Sequence, residues 1–457
     1  MRGFALVAGG GLFFGVILFA LYLERRSAAE KELDTALAEL DEKEVVWRLQ
    51  DLEAQRAAVP DVENAALCVL AVRNMLPQQW PKQEFMDTVA HATEDLPPNQ
   101  QLDEGQVKIL RDELEPLEAA RAEARRLVIL SKGRYPMMYH HDDVTSRNDN
   151  EMQQARKVVT LLGYDAILRA QTDTDLSGAL QACHAGINVG RSVGDEPNVI
   201  PQFIRMACVG VALGKLQRVL AQGQGPDSEL AALQAMLESE QQHPYFLLMV
   251  LGERALMHEM LCRYETGKES LLERGGQDKS PSIMDRYKEP WERIEVMQDH
   301  PSVLRRCTEL VTIAREPAEQ RAALLAQWDK RPARLSSPMF FLFDGGRHLE
   351  ESELLVRAHI RCMTVILAME RFRLKLDRWP EDPSDLVPVF LTHLPIDPYD
   401  GKPVRVKRAD GHWIVYCIGP DRLDNGGMLD PEDVKREGTD VGYCLWDPDQ
   451  RRRPPKP

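Results

Sequence analysis

Residues 4–23 read FALVAGGGLFFGVILFALYL, twenty positions without a charge. A helix of that length covers the hydrocarbon core of a bilayer. Arg2 precedes it, and Glu24, Arg25 and Arg26 follow. A cleaved leader would have a shorter apolar core ending in small residues. Here the end is Ala20-Leu21-Tyr22-Leu23, so the pattern predicts an uncleaved transmembrane anchor, with Tyr22 suited to the interface. Basic residues on the two flanks nearly balance, which leaves orientation open. Gly11 and Gly15 make a GxxxG pair of the kind that lets two such helices approach, although a glycine-rich stretch supplies such pairs easily.

Beyond the anchor the periodicity becomes that of an amphipathic helix. Residues 27–53 are charged, with a narrow apolar stripe at Leu33, Leu37 and Leu40. They read as a stalk or as the first helix of a soluble body. Helical stretches at 64–76 and 104–130 are separated by proline-containing loops. From residue 150 the pattern is steadier, with helices expected over 151–169, 177–191, 199–222, 228–240, 245–264, 291–297 and 301–328. Short links rich in Gly, Pro, Asp and Asn join them, which implies antiparallel hairpins in a solenoid-like array or an irregular bundle. No fixed-period repeat is present, although the helix at 175–191 loosely resembles the first helix of a tetratricopeptide-type hairpin.

The pattern changes again near residue 350. A long helix is expected over 351–376, its apolar stripe formed by Leu355, Cys362, Met363, Ile366, Met369 and Phe372. Alternating segments at 404–407, 413–418 and 441–446 read as strands, the first two joined by Arg408-Ala409-Asp410-Gly411-His412 as a hairpin turn. The expected fold is therefore mainly α: an N-terminal transmembrane helix, a helical-hairpin body, and a small α+β C-terminal module carrying a three-stranded antiparallel sheet. The expected boundaries are 1–26 for the anchor, 27–149 for a juxtamembrane helical region, 150–345 for the hairpin domain, 350–447 for the module and 448–457 for a Pro/Arg-rich tail.

Composition narrows the functions. The 457 residues carry a formal charge of −15. No basic footprint is available for nucleic acid. The basic tail, Arg451 to Arg453 with Lys456, is short and proline-broken, and reads as a solvated end. Eight cysteines include no CxxC pair, so a paired-thiolate zinc site is unsupported. Most sit among apolar residues as small buried hydrophobes. Cys417 and Cys444 fall in expected strands, and a disulfide between them stays open if the module is exported.

Three clusters invite chemistry. Asp173-Thr174-Asp175-Leu176-Ser177-Gly178 matches the first half of a calcium loop, but His184 stands where the bidentate Glu belongs. A helix N-cap explains it better. His140-His141-Asp142-Asp143 has metal-ligand residue types, yet adjacent residues rarely face one ion. His258 and Cys262 share a helical face at i, i+4, without a second pair, which points to helix packing. No GxSxG, HExxH or phosphate-binding glycine loop occurs.

The C-terminal module resembles the C-terminal half of the major (G-type) pseudopilins of type II secretion, over roughly residues 355 to 447. The motifs that carry it are AMERFRL at 368–374, RWP at 378–380, LPIDPYDGKP at 394–403, YCIGPD at 416–421, and Asp440-Val441. Such modules are also similar to those appended to large bacterial membrane proteins. The resemblance implies calcium in the acidic loop. Asp421 and Asp440 match the family's carboxylates, and Asp424, Asn425 and Asp430 lie between them as further oxygen donors. It also implies a body outside the cytoplasm of a bacterial inner membrane. Gly3-Phe4 matches the family's processing site, but Ala8 replaces its Glu, and more than 300 residues separate anchor and module.

Three functions follow as expectations. The first is a non-enzymatic, single-pass membrane-anchored scaffold that binds an unidentified protein partner. The second is a component of a type II secretion or pilus-like apparatus. The third is a hydrolase that uses loop carboxylates or the His140 cluster, for which no motif speaks.

Overall fold

A computed structural model describes residues 2–136, 149–268, 283–330, 346–430, 433 and 435–455, without the side chains of 2–15, 149, 173 and 283–289. The chain is mainly helical, 67% helix, with one three-stranded antiparallel sheet near its C-terminal end. The principal helices are α1 (Arg2–Lys43), α2 (Ala65–Met75), α3 (Glu104–Leu114), α4 (Glu118–Arg125), α5 (Ala155–Leu168), α6 (Leu176–Arg191), α7 (Val199–Leu220), α8 (Asp227–Glu240), α9 (Tyr245–Glu265), α10 (Ile283–Ala314), α11 (Ala318–Asp329) and α12 (Gly346–Leu376). The strands are β1 (Arg405–Ala409), β2 (His412–Cys417) and β3 (Val441–Trp446).

The compact units do not follow chain order. Among the described residues, one comprises 2–56, 249–268, 283–330 and 346–347; the other comprises 57–136, 149–248, 348–430, 433 and 435–455. The stretch expected as a single hairpin domain, 150–345, is therefore divided between them after residue 248.

In the first unit α1 lies along α10. Ala29, Leu33, Ala36 and Leu40 are buried, at spacings of four, three and four. That periodicity puts them on one helical stripe, as expected from the sequence. Leu40 joins Trp47 and Leu304 in a small core. A second core pairs Met257, Met260, Leu261 and Tyr264 of α9 with Val296, Val303 and Cys307 of α10. The sequence pattern placed two helices at 291–297 and 301–328, starting the second at Pro301. Instead α10 runs through Pro290 and Pro301 and ends at Ala314, with Pro317 capping α11. An interior proline costs about 3 kcal/mol. The apolar positions on both sides of Pro301 bury against α1 and α9, and that burial outweighs the penalty.

In the second unit α5, α6 and α7 pack mutually. A Cβ on Gly190 of α6 would lie 3.0 Å from the Arg205 carbonyl oxygen of α7, so glycine permits this close crossing. Asp175 caps α6 by accepting from Gly178 N–H at 2.9 Å, which bears out the N-cap reading of that segment. By length and composition α7 is apolar enough to cross a bilayer, but 56% of its most apolar window is buried, so it serves as a core helix.

Three buried carboxylates in this unit are paired with arginines. Asp165 meets Arg121, Arg125 and Arg169, while Glu240 takes Arg205 at 2.8 and 2.7 Å. Glu370 of α12 meets Arg373 and Arg451. The last pairing corrects the expectation of a solvated tail. Arg451 is buried, and Arg452 donates to the carbonyls of Ala170 and Gln171. An unpaired Glu370 carboxylate would be costly in this core, and the tail supplies its counter-charge.

The sheet is a meander, β1-β2-β3. Ala409 pairs with His412 across Asp410-Gly411, and Gly411 has φ +72°. The expected stripe of α12 is buried at Cys362, Met363, Ile366, Met369 and Phe372. Cys417 and Cys444 do not pair. Ile414 stands opposite Cys444, and Cys417 Sγ is 3.8 Å from Cys362 Sγ. All eight cysteines are free.

The expected anchor at 4–23 lies within α1, but its side chains before Val16 are outside the described residues. His140 to Asp143 also fall outside them.

Candidate metal centre

Two regions offer ligand-type side chains, and their geometries differ. The first is the loop between β2 and β3, singled out for calcium. Asp421 Oδ1 accepts from Leu423 N–H, and its Oδ2 accepts from Gly438 N–H and the Asn425 amide. Asp440, itself buried, accepts from the N–H of Asn425 at 3.1 Å and of Gly427 at 2.7 Å. These bonds bring Asp421, Asn425 and Asp440 together. Asp424 accepts from Gly426 N–H and the Tyr416 hydroxyl on one oxygen and from Arg405 Nε on the other. Asp430 faces Asp433 N–H and Arg436.

Each carboxylate oxygen of these four aspartates thus accepts a donor already. Arg405 is the cation that Asp424 meets, together with two carboxylates outside the expected set. Its guanidinium reaches Asp397 at 2.8 Å, Asp400 at 2.6 Å and Asp424 at 3.0 Å. The Gly426 N–H leads the groups that hold the Asp424 carboxyl below the usual carboxylate range. Sequence reasoning overlooked Arg405, because a strand arginine carries no sign of the three carboxylates it meets.

The second region lies between α9 and α10. His258, Cys262 and Glu265 are spaced four and three residues apart, so they share one face of α9. His300 is four residues after Val296 and three before Val303, so the turn that buries those valines also buries His300. His258 Nδ1 is 3.0 Å from His300 Nε2. Cys262 Sγ is 3.8 Å from both ring nitrogens of His258. His300 Nδ1 is 2.7 Å from Glu265 Oε1.

Glu265 can only accept when ionised, so the proton of a neutral His300 sits on Nδ1 and leaves the Nε2 lone pair facing His258. Burial, then the neighbouring His300, holds the His258 ring neutral with its pKa down at about 4. Burial, then Glu265, pushes the Cys262 thiol up to about 12. The His258 ring meets Trp47 edge-on, centroids 4.8 Å apart. Trp47 donates to Asp41 at 2.8 Å, and Asp41 also takes Arg48 in a two-pronged pair. This outer shell, with Trp47 itself fully buried, packs against the ring. Among the described residues, His258, Cys262 and His300 are the three such side chains whose donor atoms all lie within 4.8 Å of one another.

The sequence showed the His258–Cys262 pair but not its third member. His300 lies 38 positions after Cys262, and only the packing of α10 on α9 brings it in.

No protein-family model, curated protein or solved structure matches the chain.

In the second unit a cavity of about 580 Å³ has Ser352 and His359 in its wall. The Ser352 hydroxyl donates to the His348 carbonyl at 2.8 Å.

Proposed function

We propose that the chain is a membrane-anchored, non-enzymatic interaction protein. It is held by residues 4–23 in a bacterial inner membrane as a single-pass protein, with its body on the extracytoplasmic side. The observation that carries this reading is the exposure of the apolar end of α1. Val16, Ile17, Leu18, Phe19, Leu21 and Leu23 are between 39% and 62% exposed. They lie all round the helix, because six positions within eight residues span more than two turns. A soluble helix exposes polar residues on its outer face, whereas one apolar all round suits lipid. The same helix then changes to a one-sided stripe at Ala29, Leu33, Ala36 and Leu40.

Membrane fractionation tests the reading. The full chain is expected to stay in the membrane pellet through alkaline carbonate, and a variant lacking residues 2–23 to move to the supernatant. Release of the full chain by carbonate would overturn the anchor. Protease access to tags at both ends in intact cells reports the orientation.

A second reading is a component of a type II secretion or pilus-like apparatus. The order α12, β1, β2, acidic loop, β3 supports it, since that is the order of parts in the pseudopilin module that 355–447 resembles. Cross-linking in native membranes that returns secretion ATPase or platform proteins would favour it, and a cross-linked set without them would count against it.

A further inference from the structure

We infer that His258, Cys262 and His300 form a binding site for a divalent transition-metal ion, of which zinc best matches the donors, with Glu265 as the carboxylate that orients His300.

The donor set is two imidazole nitrogens and one thiol sulfur, the set that zinc and cobalt prefer and that calcium and magnesium avoid. Two of the three donor pairs have distances close to those of a shared ion, and all three donor atoms lie within 4.8 Å of one another. Zinc–nitrogen bonds of about 2.05 Å at the tetrahedral angle separate two nitrogens by about 3.3 Å, and a 2.3 Å zinc–sulfur bond puts sulfur about 3.6 Å from each nitrogen. The His258–His300 separation is 3.0 Å, and Cys262 Sγ stands 3.8 Å from His258 Nδ1. Shifts of a few tenths of an ångström reconcile both values.

The second observation is Glu265. A histidine ligand characteristically donates its other N–H to a carboxylate, which fixes the tautomer and strengthens the donor. His300 does so to Glu265 at 2.7 Å, with no exposure of its own. Its Nε2 lone pair is thereby aimed toward the other two donors. His258 and Cys262 are only partly buried, so the ion has an entry side and a fourth position for water.

Protons balance as follows. The ion takes the sulfur lone pair, and the Cys262 proton leaves to solvent. His258 moves its proton from Nδ1 to Nε2 and stays neutral. Binding therefore releases one proton, and no oxidant or reductant is involved.

The test uses the full chain in detergent, stripped with chelator and loaded with cobalt. The expected result is one equivalent bound, with the sulfur-to-cobalt charge-transfer band of a thiolate ligand and the visible bands of a tetrahedral site. Zinc should displace the cobalt, and calcium in excess should not. Cys262→Ser should remove the charge-transfer band, and Glu265→Gln should weaken binding tenfold to a hundredfold. The spectrum of the unmutated chain is decisive even if a variant fails to fold. Absence of the thiolate band, or its persistence in Cys262→Ser, would overturn the site and leave a buried histidine pair.

Discussion

The loop between β2 and β3 and the facing turns of α9 and α10 use ligand-type side chains in opposite ways. In the loop, oxygen donors are plentiful, and each carboxylate oxygen already accepts at least one protein donor, from a backbone N–H to the Arg405 guanidinium. Between the helices, the proposed site has three donors within 4.8 Å of one another, one of them steered by Glu265. Residue type therefore says little about an ion. What matters is where the lone pairs point and whether the proton that holds one of them can move aside, as the His258 proton can from Nδ1 to Nε2.

The comparison can be broken from either side. The largest effect is expected for Arg405→Met. Asp397 has no exposure and accepts Arg405 together with the N–H groups of Tyr399 and Ile418. Removing one partner of a buried pair costs about 3 kcal/mol or more. Denaturant unfolding of the full chain should show that loss, and a change below about 1 kcal/mol would mean that Arg405 does not hold the loop.

Zinc comes next. At a hundredfold excess over its dissociation constant, a ligand of the folded state alone adds about 2.7 kcal/mol. A clear rise in the melting temperature of the stripped chain is expected with zinc. Calcium under the same conditions should leave it unchanged, and a calcium-induced rise would reverse the comparison.

The smallest effect is acid loosening of the loop. The Asp424 carboxyl is held below its ordinary value, chiefly by the Gly426 N–H. A depressed carboxylate contributes stability that is present above its unfolded value, about 3.9, and is lost as pH falls through the folded one. Hydrogen exchange at Gly426, corrected for intrinsic rate, should be flat from pH 8 to about 5 and rise below about 4. A rise near neutral pH would assign the protection to another group.

Much of the fold was legible because helical period and capping are local. The stripe of α12, the N-cap at Asp175 and the three strands follow from residues within a few positions of one another. Pro301 misled because a local breaker was overridden by burial on both sides of it. Arg451 misled because its partner, Glu370, is 81 positions away. The candidate centre was half legible for the same reason. The His258–Cys262 spacing is written on one helix, but His300 arrives through packing, and no spacing rule announces it.

The exposed apolar turns of α1 and its seated stripe belong to one continuous helix, with no proline between Leu23 and Ala29. Each residue of such a helix turns about 100° and rises 1.5 Å. The short run between those two residues therefore sets a rotational phase. One residue inserted there would swing the apolar end about a quarter turn relative to α10, with every side chain otherwise intact. The azimuth at which the first unit is presented is thus written in the number of residues between Leu23 and Ala29, not in their identity.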